Sequence, residues 1–399
     1  LEIGGISCGG YTSPIFLYDR RYRNIRTSIR FSTQEELDSV VVRFAQSAGK
    51  QISLASPIVD TALTDGSRAQ LTYGKTVTSW GSSFTIRKFR EIPFSPIELI
   101  LNNTFTVEEM GYFWMAVEYS QSILFIGGTA SGKTTSLNAV AQFIPHLSKV
   151  ITIEDTREIT LSHENWLSSV VPDVANPSDS RGRIEMFDLL KAAMRQRPEY
   201  ILVGEVRGVE AQTLFQAMNT GHTTFSTLHA GSVDSAIHRL ENEPLNVPKA
   251  MIASLNIVSS QIRMYREGKQ IRRCNEIVEI MGISETKDVV VNTVFKYLPD
   301  TDSVIYSARS EIYNRIAEIS GNDMNWVVRE QQRRAVVLTA MVEQQIRDYR
   351  DVSEILWRYA AAPELVLSSL DDLTVLLEHG SVTPRPRRNM KADVVPPSV

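Results

Sequence analysis

Residues Gly127, Gly128, Thr129, Ala130, Ser131, Gly132, Lys133 and Thr134 match the pattern GxxxxGK[ST], with Thr135 directly after it. Glycines at these positions let consecutive backbone N–H groups turn inward onto phosphate oxygens. In that geometry Lys133 reaches the β- and γ-phosphates of ATP, and the Thr134 hydroxyl holds Mg²⁺. The chemistry needs a strand before the loop and a helix after it, because the helix start adds its positive end. Residues 123–126 are a short apolar run, and Leu137, Val140, Ala141 and Ile144 follow at helical spacing. A chance match in a glycine-bearing loop would lack these flanks.

Two acidic groups stand near this loop in the same pattern. Glu154 and Asp155 end an apolar run, with Arg157 and Glu158 beyond. Strand ends in such sheets open onto the ligand crevice, so Glu154 is placed to orient and deprotonate an attacking water. The plainer reading is a solvated acidic turn. Glu205 follows Gly204 after the apolar run 200–203, where a Walker B acid would stand. It is placed to reach Mg²⁺ through a water, or the attacking water itself. Spacing leaves both acids as candidates for the one base.

His222 and His229 flank another apolar run and read as γ-phosphate sensors, or more plainly as ordinary core or surface histidines. Their spacing fits no common zinc site, and no GxSxG elbow suggests a serine hydrolase. Arg68 and Arg87 lie in the first hundred residues and are candidate arginine fingers supplied across a subunit boundary. The simpler reading is solvent-facing strand arginines. The run Arg20, Arg21, Arg23, Arg26, Arg30 is most simply a solvated face, with a docking surface for an acidic partner as the sharper alternative.

The elements that must hold these groups fall into zones. Residues 1–95 predict a smaller mixed α+β domain. It has an alternating segment at 27–31, a helix over 33–48 and antiparallel strands near 68–73 and 83–89. Pro93 and Pro96 predict a linker over 96–103. Residues 104–300 alternate strand and helix periods and predict a mostly parallel α/β core. Residues 301–380 predict a helical region punctuated at Gly321, Asp351 and Pro363, and 381–399 a disordered tail. The chain has 399 residues and a net charge of −4, which gives no global pull toward nucleic acid or anionic lipid. Its two cysteines, Cys8 and Cys274, form no disulfide framework and suit a reducing compartment. No apolar run reaches membrane-spanning length. A first residue that is Leu1 rather than Met suggests a truncated fragment.

Four features in this order resemble the secretion ATPases of type II and type IV machines. They are the phosphate loop, the box Glu154, Asp155, Thr156, Arg157, Glu158, the Gly204-Glu205 strand end, and the His222–His229 box. Residues 127–135, the run His163, Glu164, Asn165, Trp166, and residues 81–89 are similar to the archaeal branch, which includes archaellum, pilus and secretion motors. The resemblance covers roughly residues 1–380. It implies a RecA-like P-loop NTPase core and a homo-hexameric ring that hydrolyses ATP with Mg²⁺. The ring would be cytoplasmic and peripheral at the inner membrane face, and would drive a polytopic platform protein and, through it, pilin-like subunits. By the same transfer Glu154 becomes the favoured base and Glu205 the Mg²⁺-side acid. Arg68 and Arg87 become phosphate-engaging residues, and His222 and His229 become sensors. The tetracysteine zinc module of many bacterial type II relatives is missing from this sequence.

Two other functions compete. One is a nucleic-acid-translocating motor on the same core, which the negative charge and lack of a basic, aromatic-interleaved stripe disfavour. The other is a nucleotide-gated scaffold without hydrolysis, which would have no use for a water-activating carboxylate.

Overall fold

The computed structural model describes residues 3–19, 22–172 and 184–378. The expected tail at 381–399 and the arginines Arg20 and Arg21 lie outside the described residues. The chain forms two compact units. The first is built from Leu1–Ile92, Thr152–Thr160 and Ser168–Gln196, and the second from Pro93–Ile151, Leu161–Leu167 and Arg197–Val399.

The first unit opens with β1 (Ile3–Cys8), β2 (Phe16–Asp19), β3 (Arg23–Arg26), α1 (Gln34–Ser47), β4 (Ile58–Ala62), β5 (Arg68–Thr72) and β6 (Ser83–Arg87). The strands form one antiparallel sheet in the order β3-β2-β1-β6-β5-β4. α1 begins where the sequence places it. Thr33 accepts a hydrogen bond from the Glu36 amide at 3.2 Å, and Glu35 and Glu36 lie at the positive helix end. Leu37, Val41 and Ala45 recur every four residues and bury one helix face in a core with Cys8, Leu71 and Phe84. The alternating segment 27–31 follows β3 and does not belong to it.

The chain continues through α2 (Pro96–Leu101), α3 (Val107–Glu118), β7 (Ile123–Gly127), α4 (Lys133–Val140), β8 (Val150–Glu154), β9 (Trp166–Val170) and α5 (Met186–Met194). Next come β10 (Tyr200–Val203), α6 (Glu210–Asn219), β11 (Thr223–His229), α7 (Val233–Glu241) and α8 (Lys249–Ile252). Four strands follow: β12 (Ile257–Arg266), β13 (Lys269–Ile283), β14 (Val289–Leu298) and β15 (Ser303–Tyr306). The C-terminal helices are α9 (Glu311–Ser320), α10 (Met324–Glu343), α11 (Tyr349–Ala361), α12 (Pro363–Ser368) and α13 (Thr374–Glu378). The second sheet has the order β15-β14-β13-β12-β7-β11-β10-β8-β9. Strands β12, β7, β11 and β10 are parallel, as the strand–helix alternation predicts. From β12 to β15 the sheet turns antiparallel, so its far half is a meander that the sequence reading did not separate from the parallel core.

Two boundaries differ from expectation. Residues 96–101 form helix α2 where a linker was expected. Pro96 sits at its first position, where its missing N–H costs nothing, and Ser95 and Glu98 close a reciprocal capping box. Ile97, Leu99 and Ile100 are buried, so this segment is packed. The helical region starts at Glu311 rather than 301, because β15 first extends the sheet, and Asp351 lies inside α11.

Two buried charges tie the C-terminal helices to α3. Glu279 of β13 accepts from the Tyr112 hydroxyl at 2.9 Å, Ser310 Oγ at 2.5 Å, Asn292 Nδ2 at 3.0 Å and the Glu311 and Ile312 amides at 2.7 and 3.3 Å. It thereby satisfies the first turn of α9. Arg334 of α10 is 3% exposed and pairs with Glu118 at 2.9 Å and Glu330 at 3.0 Å, with its guanidinium 4.9 Å from the Trp114 ring centre. Removing one member of such a set leaves buried charge uncompensated. Arg334→Ala is therefore expected to cost about 3–5 kcal/mol of stability in denaturant unfolding, and Arg334→Met, which restores packing, distinctly less than Arg334→Ala.

Candidate active site

The phosphate loop leaves a strand that is buried along its whole length. Gly127 ends that strand at φ +153°, and a Cβ there would stand 2.3 Å from the Gln261 carbonyl oxygen and 2.5 Å from Ser131 Oγ. Only glycine fits. Gly132 starts α4 in the left-handed region, at φ +104°, and no side chain caps the helix. An anion at such a helix start can take the place of a side-chain cap. Ser131 Oγ is buried without a hydrogen-bond partner, and space is open beside Gly128. Lys133 folds back so that Nζ donates to the Gly127 and Gly128 carbonyls at 3.0 and 3.1 Å. Thr134 and Thr135 occupy the first turn of α4, half-buried. A phosphate chain fits this cradle.

His229 ends β11 opposite Gly127 in the sheet register. Its Nδ1 lies 3.1 Å from the Gly127 carbonyl and its Nε2 3.5 Å from Thr129 Oγ1, while Arg239 Nη1 donates to its backbone carbonyl at 2.6 Å. His222 does not join it. It precedes β11, and the seven-residue strand holds the two rings about 20 Å apart, at opposite ends of the sheet. His222 Nδ1 lies 3.2 Å from Thr220 Oγ1 instead. Of the two histidines, His229 is the one that stands beside the loop. The sequence paired the two because strand alternation hides which end of a strand a residue occupies.

The two acids have different surroundings. Glu205 is half-buried, and its Oε2 accepts from Arg207 Nη2 at 2.7 Å. Gly204 is fixed beside β11 by Thr227 Oγ1, which donates to its carbonyl at 2.7 Å. Glu154 closes β8 at 1% exposure. Its Oε1 accepts from the Glu158 and Ile159 amides, both at 2.9 Å, and its Oε2 has no hydrogen-bond partner. Burial pushes its carboxyl up to about 8, against the pull of those two amides. A carboxyl in this state takes and gives a proton near neutral pH.

Arg68 and Arg87 face each other in the β5–β6 register. Arg68 holds Asp60 through both arms of its fork, at 3.0 and 2.6 Å, and that bond and the nearby Asp155 and Glu158 raise its affinity for its proton. Arg87 is exposed. In the first unit, sequence reasoning missed Asp60, the partner of Arg68; in the second it missed Arg239 and Arg272, whose Nε donates to the Ala130 carbonyl at 3.0 Å. The signal for Arg272 was the Glu267-Gly268 pair between two alternating runs, a hairpin mark that brings β13 back past the loop.

The family model of the Type II/IV secretion system protein matches residues 12–355. An uncharacterized protein of Methanocaldococcus jannaschii is 41% identical over 338 residues, covering 84% of this chain and 61% of that relative. The chain thus spans less than two thirds of that relative's length. The type IV secretion system protein PtlH of Bordetella pertussis is 30% identical over 236 residues, 52% of this chain and 67% of that protein. Among solved structures, the pilus retraction motor PilT with bound ADP aligns at a TM-score of 0.50 and 18% identity, covering 84% of this chain and 88% of that one. That likeness shows the fold, a RecA-like core with an N-terminal antiparallel sheet. With the family match spanning most of its length, the chain belongs to the Type II/IV secretion system protein family.

Proposed function

We propose that this chain is the ATP-hydrolysing subunit of a homo-hexameric motor that powers a pilus-like filament or type II-like secretion. It works in the cytoplasm, held at the inner membrane face by a polytopic platform protein that passes its motion to pilin-like subunits. The observation that carries the reading is the cradle of residues 127–134. It has a glycine without room for a side chain, an uncapped helix start and Lys133 resting on two loop carbonyls that a triphosphate would replace. Among the described residues no helix is long and apolar enough to cross a membrane, which suits attachment through a partner.

In this reading Lys133 leaves the Gly127 and Gly128 carbonyls for the β- and γ-phosphate oxygens, and the α4 amides share the remaining charge. In its ionised form Glu154 takes the proton of the attacking water at its unpartnered Oε2. Glu205, already engaged by Arg207, is the weaker candidate for that role and the better one for holding a metal-bound water. Bound at Thr134, Mg²⁺ would screen the phosphate charge. His229 reports on the outer phosphates through its contact with Thr129. Arg68 and Arg87 supply positive charge to the transferring group, and Arg68 must first release Asp60.

Purified chain should hydrolyse ATP slowly, and Lys133→Ala should abolish both binding and turnover. Glu154→Gln should keep ATP binding while lowering kcat by about 10²–10⁴-fold. A Glu154→Gln enzyme that turns over like the wild type would refute the base assignment. DNA added to the assay should leave the rate unchanged; stimulation by DNA would favour a nucleic-acid motor instead.

The raised proton affinity of Glu154 also has a signed effect on stability. Below pH 4.5, the ordinary glutamate value, the group is protonated in both folded and unfolded chain and costs nothing. Above it the unfolded chain ionises while the folded one does not until about 8, so stability falls through that window by up to about 1.4 kcal/mol per pH unit. Glu154→Gln cannot ionise. Its melting temperature relative to wild type should therefore climb from pH 4.5 to pH 8, as read by calorimetry at matched salt. A constant difference across that range would show that Glu154 ionises normally.

A further inference from the structure

We infer that the β12–β13 hairpin forms the base-side wall of the nucleotide site, with Arg272 fixing the apex of the phosphate loop and Tyr265 stacking on the base. The inference rests on the nucleotide reading above and extends it to residues that the loop motif does not contain.

The hairpin is paired to its tip. Arg266 opposes Lys269 across a two-residue turn, Glu267 and Gly268, whose φ values of 50° and 74° suit the tight turn that matches strand twist. Arg263 opposes Arg272, and Tyr265 opposes Gln270, so these four side chains share one face. That face meets the phosphate loop. Arg272 Nε donates to the Ala130 carbonyl at 3.0 Å, and its Cδ lies 3.4 Å from where a Cβ on Gly132 would stand. Ala130 itself holds a left-handed φ of 58°, a strained conformation for alanine that this bond helps to fix.

The opposite face is pinned, so the hairpin does not drift. Arg273 donates to both Asp302 oxygens at 2.8 and 3.0 Å and to the Asn102 carbonyl at 3.3 Å. Arg266 Nη1 donates to the Pro299 carbonyl at 2.9 Å, and the Tyr297 hydroxyl to Asp302 at 2.7 Å.

The sheet order sets the direction of the ligand. Glu205 and His229 stand on the β10–β11 side of β7, and β12 stands on the other. The terminal phosphate must lie toward the groups that act on it, so the ribose and base leave toward β12 and β13. There Tyr265 is 62% exposed with its hydroxyl 3.4 Å from Gln270 Nε2, offering a ring to the base.

The test measures binding of ADP and of inorganic tripolyphosphate to the full chain by calorimetry. Tyr265→Ala should weaken ADP about tenfold and leave tripolyphosphate within about twofold, because stacking acts on the base alone. Tyr265→Phe should bind ADP like wild type. Arg272→Ala should weaken both probes, since it frees the loop apex. Wild-type ADP affinity in Tyr265→Ala, a parallel loss of both probes in that variant, or unchanged binding in Arg272→Ala would each overturn the inference. Should wild type bind neither probe, or Lys133→Ala bind ADP normally, the nucleotide reading falls first and takes this inference with it.

Discussion

The rest of the site depends on the close approach of Gly127 to the Gln261 carbonyl. β7 and β12 run parallel with these two residues in register, and there is no room between them for a Cβ. The chain leaves the ladder at this point and wraps into the loop that ends at Gly132. His229 is then fixed from the other side, because β11 also pairs with Gly127. The loop is thus located by a neighbouring strand on each side and by a buried strand behind it. Its position owes little to its own sequence beyond the glycines.

Burial alone does not mark a carboxyl as a candidate base; its surroundings separate the cases. Glu279 is completely buried, yet it is surrounded by five donors and serves as a helix anchor. Glu154 is as deeply buried but receives two amides on one oxygen and nothing on the other. Glu109 is a third case: burial also pushes it up to about 8, and it caps the α3 start through Thr106. Glu109 and Glu154 thus share a high proton affinity, and their positions separate them. Glu109 lies within a helix cap, whereas Glu154 closes a strand of the sheet that bears the phosphate loop. Glu205 is the wetter counterpart, half-buried and tied to Arg207.

What the sequence disclosed follows from which signals are local. The loop, the strand before it and the α1 cap rest on neighbouring residues, and all three stand where the spacing puts them. The parallel strands were legible because each is a short apolar run between helical periods. The antiparallel half was not, since a long hairpin such as β12–β13 alternates much like an amphipathic edge strand. The Glu267-Gly268 pair marks a turn, but Arg272 lies 142 positions from Ala130 in the chain, and only the register brings it to the loop. Spacing along a strand likewise does not say which end carries the loop, so the sequence leaves His222 and His229 undistinguished. Pro96 reads as a break from the sequence because proline usually breaks helices, but at the first position of α2 it starts one.

The helix that feeds the loop is held by polar partners on both flanks, and this has a consequence for precision. α3 runs directly into β7, and its Tyr112 and Glu118 reach buried charges carried by β13 and α10. Apolar packing around Phe113 and Met115 supplies most of its burial free energy, but apolar surfaces tolerate small slides. A hydrogen bond to Glu279 and an ion pair to Arg334 do not, because a slide of one residue would strand a buried charge. The C-terminal helices therefore fix the register of α3. Through α3 they fix where β7 ends, and so where the turn at Gly127 must fall.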